Sequence, residues 1–158
     1  MGINPYPYKY ERTHLAKDIH STFSKLENNQ SSGTKANVCG KIMGIRAFGK
    51  LAFLDLVDDS GKIQVQLKSG TTHEDAFKLF PLLDTGDFAG AEGEIIRTQR
   101  GEISILANTI SILSKSIAPM PDKWHGISEI ETRYRQRYLD LALNPTVKKT
   151  FEQRAKII

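Results

Sequence analysis

Phe53 and Gln64, an aromatic ring and a carboxamide, fall in two short apolar runs at the positions where a strand turns its side chains to water. Ala52, Leu54 and Leu56 alternate with Phe53, Asp55 and Val57, and Ile63, Val65 and Leu67 alternate with Gln64 and Gln66. A period of two marks half-buried strands with one wet face. That face would otherwise carry only charge, and a ring beside an amide suits a surface that stacks an unpaired base and reads its edge. The plainer reading stays open beside it. A surface Phe often rims a core, and Gln64 can be a solvated strand residue.

The elements that must hold these residues follow from the flanking sequence. Asp58–Lys62, DDSGK, predicts a hairpin loop with Gly61 free to take positive φ. A longer strand from about Ala36 to Arg46 precedes the pair, and Gly40 and Gly44 inside it predict bulges, as in a strand shared by both halves of a small barrel. With parity uncertain there, alternation alone does not orient Arg46. After the third strand, Ala76, Phe77 and Phe80 fit a short helix over 73–80 that Pro81 ends. Asp84–Asp87 is a turn, Phe88 to Arg97 a fourth strand, Thr98–Glu102 a loop, and Ile103 to Leu113 a fifth strand. Five short strands with a helix between the third and fourth is the order of the OB-fold, an all-β, five-stranded Greek-key barrel whose second and third strands form an oligonucleotide platform.

Appendages flank this barrel. A proline-stiffened leader, Tyr6-Pro7-Tyr8, precedes a helix over 14–26 with Thr13 as cap and Leu15, Ile19, Phe23 and Leu26 on its buried stripe. Asn28–Lys35 reads as a loop. On the C-terminal side Pro119 and Pro121 stiffen a connector, Trp124 plugs a packing gap, and Ser128 with Glu131 caps one helix over 129–143. Asn144-Pro145 opens a last helix with Val147, Phe151, Ala155 and Ile158 on one face. That face ends unpaired, so the natural protein is expected to continue. Three parts are expected: leader and helix over 1–34, barrel over 35–114, and connector with linker helices over 115–158.

Composition excludes several classes. Hydrophobic residues make up 39% and charged residues 25% of the 158-residue chain, ordinary for a soluble domain. No apolar run is long enough to span a bilayer, and the start MGINPYPYKYE has no apolar secretory core, which together with one cysteine favours the cytoplasm. Cys39, on a strand, is expected as a half-buried thiol rather than a nucleophile. His14, His20, His73 and His125 have no metal-ligand spacing, so no zinc is expected. The net charge of +4 is compatible with nucleic acid without establishing it.

The most specific stretch is MPDKWHGISEIETRYRQRYLDL, over 120–141. Its Pro121, Asp122, Lys123, His125, Gly126, Glu131 and the whole run Arg133–Leu141 resemble the connector that follows the anticodon-binding domain of class II lysyl-tRNA synthetases. GKLAFLDLVDDSGKIQVQ, the Gly86-Asp87 pair and the run Gly101–Ile105 look like the barrel of the same family. The resemblance implies an enzyme that joins lysine to its tRNA using ATP and magnesium, as a homodimer. Its catalytic motifs would lie beyond Ile158. It therefore implies no catalytic residue here, no cofactor in this chain, and no aminoacylation by residues 1–158 alone.

By the same resemblance Phe53 matches the ring that stacks on the central uridine of the lysine anticodon. Arg46 and Gln64 match residues that hydrogen-bond that base, and Glu102 matches an acidic contact to a neighbouring one. Lys41, Lys50 and Lys62 are candidates for backbone phosphates, which position without specifying. Arg46 has an alternative as a partner of Asp55 or Glu102. Arg133 and Arg137 are expected to pair with Glu129, Glu131 or Asp140 as an interdomain brace rather than to contact tRNA directly. Two other functions compete: a general single-strand-binding OB protein, which would leave Arg133–Leu141 unexplained, and a dimerisation module using the terminal helices.

Overall fold

The computed structural model describes residues 4–118 and 129–158. Backbone contacts divide the chain into two units, 1–119 and 120–158. In the first, α1 (Ala16–Thr22), β1 (Ser31–Phe48), β2 (Leu51–Val57), β3 (Lys62–Lys68), α2 (Glu74–Leu79), β4 (Phe88–Arg97) and β5 (Ile103–Ser114) follow in order. The strands close into a barrel in the order β1-β2-β3-β5-β4, with every pairing antiparallel except β3 with β5. This is the expected five-stranded OB-fold barrel with an N-terminal helix. Alternation on β2 and β3 falls as read: Ala52, Leu54, Leu56, Ile63, Val65 and Leu67 are buried, and Phe53, Asp55, Gln64 and Gln66 are only partly so.

β1 is longer than expected, because Ser31–Lys35 joins the sheet against the end of β4. One strand pairs with β4 over its first part and β2 over its second, and its register slips between Ile42 and Gly44. The glycines are there for close approach. A Cβ on Gly40 would lie 2.6 Å from the Val57 carbonyl oxygen. On β5 the inward parity changes at Asn108, so Ile103, Ile105, Ala107, Ile110 and Ile112 are buried while Thr109 is only partly so. The register slip between Glu92 and Gly93 on the facing β4 accounts for the change.

Three local expectations are corrected. Gly61 does not take positive φ. The Asp58 carboxylate shapes that loop instead, one oxygen accepting the Ser60 and Gly61 amides at 2.7 and 2.9 Å. Its other oxygen accepts the Ala16 amide at 3.0 Å, and the Ser60 hydroxyl accepts that of Lys17. The loop therefore caps α1, which is shorter than expected, and Thr13 hydrogen-bonds with Asn37 on β1 instead. Pro81 does not end the helical segment at once, since Phe80–Leu82 forms a 3-10 turn directly after α2.

Asp87 is fully buried below the turn before β4. It accepts the Asp84 amide at 2.7 Å, the Ser116 amide at 2.7 Å and the Lys115 ammonium at 2.8 Å. Burial pushes the Lys115 pKa down, but its hydrogen bonds to Asp84 and Asp87 outweigh that and hold it above the ordinary lysine value. One carboxylate thus ties the entry of β4 to the exit of β5. On the outer face of β1 and β4, the Tyr10 ring occupies the space a Cβ on Gly90 would need. Burial lifts the Tyr10 phenol to about 12, and burial also pushes up the half-buried Cys39 thiol.

In the second unit the single helix expected over 129–143 is two: α3 (Ile130–Arg135) and α4 (Arg137–Leu143), broken at Gln136. The Arg133 and Arg137 guanidiniums both hydrogen-bond the buried Asp140 carboxylate, at 3.1 and 2.6 Å. That is the pairing expected of these arginines, with Asp140 as the partner. α5 (Pro145–Ile157) begins as expected, with the Asn144 side chain accepting the Val147 amide and Pro145 at its first position. Pro119, Pro121, Trp124 and Ser128, with the first part of the connector motif over 120–128, lie outside the described residues.

Candidate nucleic-acid interface

Strand pairing arranges the outer face of β1, β2, β3 and β5 in rows. In one row Arg46 lies opposite Phe53, and Phe53 opposite Gln66. In the next, Asp55 lies opposite Gln64, and Gln64 opposite Ser104. Directly opposed residues share a face of the sheet, so the pairing brings Arg46, Phe53 and Gln64 together although up to 18 positions separate them along the chain. The Phe53 ring is partly exposed and stays out of the core formed by its neighbours Ala52 and Leu54.

The Arg46 guanidinium lies over that ring, 5.9 Å from its centroid, and donates to Asp55 Oδ1 at 2.8 Å. Arginine has five N–H donors in a planar fork, so the pair with Asp55 orients the group without using it up. Gly44 opposite Asp55 gives this carboxylate its room, since a Cβ there would lie 2.9 Å from Asp55 Oδ2. Gln64 is held from the other side. The Ser104 hydroxyl, fully buried, donates to Gln64 Oε1 at 3.0 Å. With its oxygen accepting from Ser104, the amide has its NH2 group to offer as a donor.

Glu102 stands just before β5, its carboxylate 3.8 Å from the Lys62 ammonium at the start of β3. Both are substantially exposed, and such a pair holds weakly, which leaves each free to exchange its partner for a ligand. Lys50 is exposed in the turn between β1 and β2. Lys41 shares this face but lies at its far end: its backbone pairs with Val57, the last residue of β2 and the partner of Lys62, and its ammonium lies 5.3 Å from the Phe88 ring centroid. Sequence reasoning missed Ser104, which the run Ile103-Ser104-Ile105 hides between two core residues. Only the parallel pairing of β3 with β5 sets it beside Gln64.

Among the described residues no group of His, Cys, Asp and Glu side chains could hold a metal ion, and no helix is long and apolar enough to cross a membrane. The chemistry offered is a ring face for stacking, a carboxamide and a guanidinium as donors to a base's carbonyl oxygens, and a carboxylate as acceptor for a neighbouring group.

Residues 36–113 match a family model for tRNA anticodon recognition, described as an OB-fold nucleic acid binding domain. The barrel is an anticodon-binding OB-fold domain. The model begins within β1 and ends within β5, so this anticodon-binding domain includes every candidate residue named above. The likeness extends beyond the barrel. The chain is 48% identical over 160 residues to the lysine–tRNA ligase of Gloeobacter violaceus, covering 98% of this chain and 32% of that protein. It is 44% identical over 158 residues to that of Carboxydothermus hydrogenoformans, covering 100% of this chain and 31% of the relative. It is also 44% identical over 162 residues to the chloroplastic/mitochondrial lysine–tRNA ligase of Arabidopsis thaliana, covering 100% of this chain and 27% of that one. The chain thus spans about a third or less of these curated relatives, in their N-terminal region.

Proposed function

We propose that the anticodon-binding barrel reads a lysine anticodon, with Phe53 stacked on the central uridine, and that the whole protein is a class II lysine–tRNA ligase. The observation that carries the reading is the partly exposed Phe53 ring flanked by Gln64 with its oxygen tied to Ser104 and by Arg46 tied to Asp55. Uracil offers a carbonyl oxygen at C4 where cytosine offers an amino group, so donors aimed at that position favour uridine. Stacking is worth roughly 1–3 kcal/mol per base and tolerates any base, so the choice of base rests on the hydrogen bonds.

Glu102 accepts from a neighbouring anticodon base, and Lys50 and Lys62 neutralise phosphates. Lys41 is proposed for a phosphate further along the strand, at the far end of the same face. ATP and magnesium would serve a catalytic domain outside these residues, the full-length protein would be a cytoplasmic homodimer, and residues 1–158 alone would not aminoacylate. The test is binding of the 158-residue chain to an RNA stem-loop with a lysine anticodon, by fluorescence anisotropy. Binding that weakens with added salt and falls about tenfold in Phe53→Ala is expected. Equal affinity for a loop with cytosine at the centre would refute it.

A further inference from the structure

We propose that Phe48 is a second stacking platform, which takes a base adjacent to the one on Phe53 and holds the two bases unstacked from each other. The inference rests on the anticodon reading above and adds a residue and a geometry to it. Phe48 ends β1 at the tip of the β1–β2 hairpin and is 65% exposed. It belongs neither to the buried core nor to the side chains packed against it, so folding gives no reason for a large apolar ring there. Register places it on the platform: Phe48 pairs with Leu51 and Arg46 with Phe53, so Phe48 and Phe53 are diagonal neighbours on one face.

The ring centroids are 6.4 Å apart with an interplanar angle of 64°. A base sandwiched between two rings needs them nearly parallel, and these are not. Each ring instead offers its own face, and two consecutive bases stacked on them would be inclined steeply to one another, with a turn of the RNA backbone between. The surroundings suit that backbone. Lys50 follows two residues later in the turn, where Gly49 takes φ 59, and Lys68 lies across the sheet from Leu51. Two lysines thus stand at the same end of the sheet as the ring, with charge to offer passing phosphates.

The experiment measures affinities of the 158-residue chain, wild type, Phe48→Ala, Phe48→Trp and Phe53→Ala, for lysine-anticodon stem-loops. The loops are either intact or carry one abasic site, at the central position or at either neighbour. Phe48→Ala should weaken binding of the intact loop by roughly tenfold. It should cost nothing further when the abasic site is at one particular neighbour, while Phe48→Trp keeps or improves affinity. An intact-loop affinity unchanged in Phe48→Ala, with Phe53→Ala still impaired, overturns the second platform and leaves the anticodon reading standing. A loss in Phe48→Ala that is the same for every abasic loop also overturns it, because the ring would then act only by supporting Phe53. Loss of the Phe53→Ala effect as well would remove the anticodon reading itself. Identical circular dichroism spectra and melting midpoints secure the comparison, as expected for a ring at a hairpin tip outside the core.

Discussion

Ser104→Ala tests whether the barrel chooses its base through the orientation of one amide. The Ser104 hydroxyl is fully buried, 3.0 Å from Gln64 Oε1, and also 3.4 Å from the Glu102 carbonyl oxygen. Alanine fills nearly the same volume, and Gln64 is only half-buried, so its freed oxygen can take a water. The stability cost is that of one hydrogen bond, about 1 kcal/mol. The effect on recognition is of another kind. A Gln64 whose oxygen is held by Ser104 offers its NH2 group to a ligand in preference to its oxygen, whereas an untethered one can turn over and offer its oxygen to cytosine's amino group. Freeing the amide loses about 1 kcal/mol of orientation toward uridine, roughly fivefold in affinity, and returns a similar amount to cytosine. Preference for a uridine-centred over a cytosine-centred loop should therefore shrink by roughly tenfold or more, with the melting midpoint nearly unmoved. Competition anisotropy with the two loops, wild type against Ser104→Ala, measures this. Unchanged discrimination, or equal weakening for both loops, would refute the role of the tether; the second outcome would leave Ser104 a purely structural residue.

Other parts of the fold make separate predictions. Asp87→Ala strips a buried carboxylate from two backbone amides and Lys115, and should destabilise by roughly 3–5 kcal/mol. Calorimetry should show the melting midpoint falling by roughly 10 °C or more. Gly90→Ala places a methyl where the Tyr10 ring lies, so the leader should lift off and the phenol's ultraviolet titration should move from about 12 toward the ordinary 10; an unmoved titration would refute that packing. Burial pushes the Asp58 carboxyl up, but hydrogen bonds from the Ala16 amide, the Ser60 hydroxyl and amide and the Gly61 amide outweigh it and hold the pKa below the usual range. Such a group contributes stability that is present above its unfolded value near 4 and is lost as pH falls through the depressed folded value. Protection factors of the Ala16 and Lys17 amides, corrected for the intrinsic pH dependence of exchange, should fall on acidification below about pH 4, and in Asp58→Ala they should be low at neutral pH already.

How far the chain alone carries the reading is clear from particular residues. The barrel's order was legible because alternation on β2 and β3 reports which side of a pleat is wet, a local property of the backbone. Phe53 and Gln64 were found on that ground alone, and Asn144-Pro145 announced α5 because a cap and a fixed φ are also local. Where alternation broke, at Gly44, the sequence showed only that parity was lost, and the change of parity at Asn108 came from the structure alone, since a bulge is defined by the partner strand. The partnership of Gln64 with Ser104 came from the parallel pairing that closes the barrel across 40 positions of chain. The cap on α1 came from Asp58 rather than Thr13, because an orphan amide takes whichever acceptor the packing brings within reach. Residue types and period thus determined which surface is wet and what chemistry it carries. Only the tertiary structure decided which donors are tied, which are free and which rings meet, because those depend on strand register between segments far apart in the chain.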